Sequence, residues 1–297
     1  MLTIDPKEHK VSLVHQYLLH AVAPRPIAFV STVDREGRPN LSPFSFFNVF
    51  SANPPVAVFS PARSGRTGAT KHTFDNAKAT GECVINVVNY ALVQQASLSS
   101  TEYPQGVNEF VKAGLTELPS TLVRAPRVKE SPVQLECRVR EVVELGQSGG
   151  AGNLVICDIL LMHIDEQVLG HDNMIDQQKI DLVGRMGADW YVRASGNALF
   201  KVAKPLLTIG IGVDGLPVSI RLSKVLTGNH LGQLGNVEQL PDEQEVIAYR
   251  DSAIREVFQD YADHPAKLQE QLHKIAGNLL DEGKVEEAWK VLLAGEV

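Results

Sequence analysis

Four residues of this 297-residue chain fall close together at Arg66, Lys71, His72 and Thr73, where a helical segment begins. Cations and a hydroxyl at a helix N-terminus make an anion site, because unpaired backbone N–H groups and the helix dipole add to the side-chain donors. Such a set suits a phosphate. Upstream, the small polar residues Ser31, Thr32, Asn40, Ser42 and Ser45 are interleaved with Phe44, Phe46 and Phe47. Hydroxyls and amides beside aromatics would hold a planar ligand, and a planar ligand carrying a phosphate would use both groups. Composition alone leaves the other reading equally open, in which the phenylalanines are core and the basic residues a solvated helix face.

These residues need a frame. IAFVST (27–32), a strand over 41–51, PVAVFS (55–60) and CVINVV (83–88) read as β-structure. The segments 133–145 and 153–164 form a long hairpin across the glycine-rich QSGGAG. Helices are expected at 67–79, 91–100 and 107–113. Sequential hairpins with few helices between them predict an antiparallel barrel and not a βαβ sheet. Beyond residue 240 the pattern turns helical, with apolar residues at Val246, Tyr249, Ala253 and Val257, then Leu268, Leu272, Ile275 and Leu279, then Val285, Ala288, Trp289 and Leu292. Three parts are expected: a β-rich domain over 1–195, a loop-rich linker over 196–240 and a helical extension over 241–297.

Other chemistries find little support. GIGVDG at 210–215 matches G-x-G-x-x-G, and PLLTI before it could be a strand, but Pro217 follows at once and no second strand completes a dinucleotide-binding unit. The acids and histidines over 163–181 lack the spacing of a zinc or calcium site, and no G-x-S-x-G elbow is present, so no metal is expected. Cys83, Cys137 and Cys157 are too scattered for a disulfide scaffold. With 28 basic and 35 acidic residues the net charge is −7, which argues against nucleic-acid binding. No apolar run approaches the roughly 20 residues of a membrane helix, and the N-terminus lacks a signal-peptide pattern. The expectation is a cytoplasmic protein that does not engage membranes.

The string RPIAFVSTVDREGRPNLSPFSFFNVFSANPP resembles the signature of the flavin reductase-like, FMN-binding split-barrel family. Its S-T-x-D-x-x-G-x-x-N-L-x-P-x-S-x-F core is filled at Ser31, Thr32, Asp34, Gly37, Asn40, Leu41, Pro43, Ser45 and Phe47. TKHT (70–73) resembles the family's K-D-T element with His72 in the aspartate position. GRMGADWY (184–191) resembles its R-x-G-G-x-Y element with Ala188 for the second glycine. The resemblance spans about residues 18–195 and implies a mainly β fold with added helices, a six-stranded Greek-key split barrel.

It also implies a homodimer that binds FMN near the subunit interface and accepts hydride from NAD(P)H. Ser31, Thr32, Ser45 and Phe47 would line the ring and ribityl chain, and Arg66, Lys71 and Thr73 would hold the phosphate, to which the imidazole of His72 can also donate. Asn40, Ser42 and Phe46 are further cofactor-binding candidates beside them. Arg185 and Tyr191 would close the cleft or anchor the last strand. His163 would orient the nicotinamide or be a satisfied strand-end histidine. No acid, base or nucleophile of the protein is then required, since the flavin accepts the hydride. Small molecules, flavin and nicotinamide, are the expected partners, with an oxygenase or another acceptor taking the electrons. A flavoredoxin-like carrier without nicotinamide activity, or an interaction protein using the helical tail, are the rival readings.

Overall fold

The computed structural model describes residues 1–205 and 209–296, and the chain divides into two compact units, Met1–Phe200 and Lys201–Val297. In the first, helix α1 (Val11–Ala21) precedes strand β1 (Ala28–Val33), whose six residues are all buried. A tight turn returns the chain as β2 (Pro39–Phe44). The Asp34 carboxylate builds that turn by accepting from the backbone N–H of Glu36 at 3.0 Å and of Arg38 at 2.9 Å, and Gly37 supplies a φ of 83°. Strands β3 (Phe47–Ala52) and β4 (Pro55–Phe59) follow, then helix α2 (His72–Thr80) and β5 (Glu82–Val87). Helices α3 (Val93–Leu98) and α4 (Glu109–Ala113) come next, with the two-residue strands β6 (Glu117–Leu118) and β7 (Arg127–Val128) after them. The long hairpin β8 (Val133–Glu144) and β9 (Asn153–Ile164) leads to α5 (Gln177–Ile180) and a separate pair, β10 (Leu182–Arg185) and β11 (Tyr191–Ala194).

Seven strands form one sheet in the order β2-β1-β5-β8-β9-β4-β3, and every described pair is antiparallel. Its two edges, β2 and β3, are consecutive in the chain and separated only by Ser45 and Phe46. Three residue steps reach about 10 Å, whereas a flat seven-stranded sheet would hold its edges about 29 Å apart. The sheet therefore curls round on itself. The strand expected as one over 41–51 is broken at Ser45–Phe46, the corner at which it leaves one edge of the sheet for the other. Counting β2 and β3 as that single bent strand leaves the six strands of a split barrel.

The barrel interior holds Phe59, Ile85 and the three free thiols of Cys83, Cys137 and Cys157, all with no exposed surface. A second cluster, with Phe29, Leu41, Leu92 and Phe110, packs α3 and α4 onto β1 and β2. The helix expected over 67–79 starts only at His72, because residues 61–70 form a loop docked on the β8–β9 turn. There Arg63 N donates to Ala151 O at 2.9 Å and Gly150 N to Arg63 O at 3.1 Å. Gly149 permits this approach, since a Cβ at that position would lie 2.9 Å from Ser64 O.

In the second unit, α6 (Val218–Arg221), α7 (Gly228–Leu234), α8 (Glu243–Ala253), α9 (Arg255–Asp260), α10 (Pro265–Asp281) and α11 (Val285–Leu293) surround a core centred on Trp289. Residues 211–237, expected as linker, contribute Leu216, Ile220, Leu226 and Leu234 to that core, and Trp289 Nε1 donates to Leu234 O at 3.3 Å. GIGVDG is a turn laid against Gly235–Val237, with Gly212 N donating to Gly235 O at 3.0 Å. The PLLTI strand expectation falls on Leu206–Thr208, outside the described residues. No helix among the described residues is long and apolar enough to cross a membrane.

Candidate functional site

Two cavities of the first unit adjoin at Ser100, which lines both. The first, of about 160 Å³, is polar and collects Asn40 and Ser42 from β2, then Lys71, His72 and Thr73 from the start of α2. Lys71 is the N-cap of α2 and gives no side-chain cap, so the first-turn amides carry no side-chain partner from that position. Thr73 is buried, and its Oγ1 accepts from Asn40 Nδ2 at 2.8 Å, which leaves the hydroxyl proton to be donated. A lysine ammonium, a positioned hydroxyl and a helix N-terminus thus converge on one space, the donor set that an oxyanion requires.

Two carboxylates face the same cavity. Glu102 accepts from Lys71 Nζ at 2.7 Å and from Arg66 NH2 at 3.0 Å. The Lys71 hydrogen bond and charge, with Arg66 behind them, hold its carboxyl below the usual range. Glu109, at the start of α4, is 4 % exposed and accepts from Leu41 N at 3.0 Å. Burial pushes its carboxyl up, against that backbone bond and the nearby His72.

The second cavity, of about 190 Å³, is walled by Ile27, Pro43, Phe44, Val93 and Ala96, with polar groups from Ser45, Ser97, Arg185 and Tyr191. Arg185 and Tyr191 are cross-strand partners in β10–β11, and the guanidinium stacks 4.7 Å from the centre of the tyrosine ring. Arg25 underpins this end. Nearly buried, it donates to Leu19 O at 2.6 Å, Val22 O at 2.7 Å and Met186 O at 2.9 Å, which ties the end of α1 to the β10–β11 turn.

Asn40, Ser42, Lys71, His72 and Thr73 therefore share the polar cavity, and Ser45, Arg185 and Tyr191 the apolar one. Arg66 is highly exposed and reaches the site through Glu102. Five expected residues lie elsewhere. Ser31 is fully buried and donates to Pro126 O, and Thr32 is fully buried with its Oγ1 accepting from Asn76 Nδ2 at 3.1 Å. Both lie in β1, whose backbone is paired with β2 on one side and, through Ser31, with β5 on the other. Phe47 packs on the barrel core, while Phe46 is exposed with its ring edge-on to His15. His163 Nε2 is bound at 2.7 Å to Glu136, a carboxylate with no exposed surface, and lines neither cavity. Burial raises the Glu136 carboxyl, but backbone N–H bonds from Thr121 and Leu122, then His163, outweigh it and leave the group lowered.

The polar residues not anticipated include Ser97, Ser99, Ser100, Thr101, Glu102 and Glu109. The run SLSSTEY (97–103) carried a signal, four hydroxyls in five residues beside an acid, although it follows a short helix and has no strand or helix period.

A family model described as a flavin reductase like domain matches residues 20–179. A functionally uncharacterised protein of Aquifex aeolicus is 36% identical over 197 residues, covering 66% of this chain and 97% of the relative. Among solved structures, nitrilotriacetate monooxygenase component B from Bacillus cereus superposes with a TM-score of 0.63 at 29% identity, over 68% of this chain and 98% of that one. A flavoredoxin of Desulfovibrio vulgaris (Miyazaki F) does so with a TM-score of 0.52 at 25% identity, over 61% and 91%.

Proposed function

Since this chain belongs to the flavin reductase-like family, we propose that it is an oxidoreductase that binds FMN and passes hydride to it from NAD(P)H. The observation carrying this reading is the pair of cavities joined at Ser100, one furnished for an oxyanion and the other for an apolar ring. Neither volume alone reaches the roughly 300 Å³ at which ligand sites begin, and the two together do. The donor set fits FMN chemically. Lys71 and Thr73 would take the phosphate with Arg66 nearby, and Asn40 and Ser42 of β2 would offer polar groups to the chain that joins phosphate to ring.

At the ring end, Phe44, Val93 and Ala96 would exclude water, and the Ser45 hydroxyl and Arg185 guanidinium would stabilise negative charge as it develops. Bound there, the flavin supplies the hydride-accepting ring, so the chain needs to contribute only binding, orientation and charge. Electrons would leave to free flavin, an oxygenase partner or another acceptor. A homodimer is part of the reading: α1 buries none of its residues although Val11, Tyr17 and Leu18 are large and apolar, and Val49 and Phe50 of β3 are also exposed. Burying such surface in a second copy is favourable at about 25 cal/mol per Å² of apolar area.

The test is the visible spectrum of the purified protein with FMN, followed without oxygen by NADH or NADPH. Binding, and bleaching on adding nicotinamide, supports the reductase. Bound flavin that bleaches only with dithionite makes the protein a flavoredoxin-like carrier. Absence of flavin binding refutes both and turns attention to the helical unit.

A further inference from the structure

The two cations assigned to the phosphate are already engaged by a carboxylate of the chain. Glu102 meets Lys71 with one oxygen at 2.7 Å and Arg66 with the other at 3.0 Å. Among the described residues, these are the only side-chain ion pairs that Arg66 and Lys71 make. Glu102 stands on the segment after α3, with its side chain 53% exposed, so it is free to swing outward. We propose that Glu102 is an internal counter-anion for the flavin phosphate: it holds Lys71 and Arg66 when the phosphate is absent and gives them up when it enters, which weakens FMN relative to riboflavin contacts and keeps the flavin exchangeable.

The chemistry of the exchange is like for like. A carboxylate and a phosphate are both oxyanions that take N⁺–H donors, and a doubly charged phosphate competes better for a lysine and an arginine than a carboxylate does. Exposed ion pairs are weak, so the contest is winnable. It operates throughout the neutral range, where a glutamate carboxyl is ionised in any case and the cations lower this one further. Glu109 lies deeper in the same cavity with one oxygen fixed by Leu41 N, and His72 faces it. An arriving phosphate therefore meets Lys71 and Arg66 on one side of the charge balance and the carboxyls of Glu102 and Glu109 on the other. Glu102 is the acid of the two that touches the cations.

This inference rests on the FMN reading above, and the experiment separates the two. FMN and riboflavin are titrated into the wild-type protein, Glu102→Gln and Glu102→Ala, with affinity read from quenching of flavin fluorescence and release rate from stopped flow. The wild type should bind FMN more tightly than riboflavin. Both variants should tighten FMN about three- to tenfold and slow its release by a similar factor, with riboflavin unchanged within about twofold. A weaker FMN complex in the variants would show that Glu102 positions the cations and would overturn the proposal. Unchanged FMN affinity, or equal tightening of both flavins, would overturn it too. Wild-type protein indifferent to the phosphate would overturn the phosphate assignment itself, and the counter-anion with it.

Discussion

Lys71 and Arg66 are both assigned to the phosphate, but the structure makes them unequal. The Lys71 side chain is 34% exposed and lines the polar cavity at the mouth of α2, whereas that of Arg66 is 84% exposed and sits outside the cavity. A hydrogen bond to a charged group contributes about 1.5–3 kcal/mol net, and partial exposure with release of Glu102 puts Lys71 at the lower end. Lys71→Ala should therefore raise the Kd of FMN about tenfold. Arg66→Ala should cost about 0.2–1 kcal/mol, at most about fivefold, as for an exposed ion pair. Riboflavin carries no phosphate and should bind both variants as it binds the wild type. Fluorescence titrations at low and high salt read all of this, and the Arg66 effect should vanish in high salt, where exposed charges are screened. Equal losses for both flavins, or an Arg66 effect exceeding that of Lys71, would refute the assignment.

Arg25→Ala should destabilise the first unit by about 2–4 kcal/mol in urea unfolding, because the Leu19, Val22 and Met186 carbonyls lose their donor. Arg25→Lys should recover under half of that, since one ammonium cannot span three carbonyls as a guanidinium does. Glu136→Ala should cost about 3–5 kcal/mol by the same assay, as it strands two backbone N–H groups and His163 around a buried site. Flavin affinity of that variant should not change, because Glu136 lines neither cavity. Hydrogen bonds from Lys78, Gln147 and Arg63 lower the Glu144 carboxyl to about 2, below its unfolded value. Its contribution to stability is thus present above about pH 4 and lost as pH falls through about 2, so Glu144→Gln should flatten the wild type's acid-side loss in that window.

How legible the fold was depends on what each segment packs against. IAFVST, PVAVFS and CVINVV show as strands because they are largely buried on both faces and so are mostly apolar or β-branched, with Ser31 and Asn86 among the buried polar exceptions. The β8–β9 hairpin shows through its two long β-rich arms and the glycines between them. Helix α1 does not show by a start signal, since Lys10 gives it no side-chain cap and no acid stands in its first turn. Its amphipathic spacing, with Ser12, His15, Gln16 and His20 on one side, is the signal that could have found it. The corner at Ser45–Phe46 is silent, because the bend is imposed by closure of the sheet and not by any breaker at those two positions.

The signature string illustrates why recognising a fold and locating a site are separate problems. Of its fixed positions, Asp34 and Gly37 build the β1–β2 turn, Ser31 and Thr32 pin β1 to Pro126 and to Asn76 of α2, and Leu41 and Phe47 pack into the two cores. Asn40, Pro43 and Ser45 are the ones that line the cavities. Most of the string thus specifies how the strand pair forms. The groups that would meet the ligand come largely from loops hung on that frame: Arg66 from the segment docked on the glycine turn, Lys71 from the N-cap that follows it, and Ser100 and Glu102 from the run after α3. Loop residues carry no period, and their meaning appears only when distant segments converge. Lys71 and Glu102 are 31 positions apart in the chain, yet their charges are 2.7 Å apart in space, and that single distance decides whether the cations wait free for a phosphate or must be released to it.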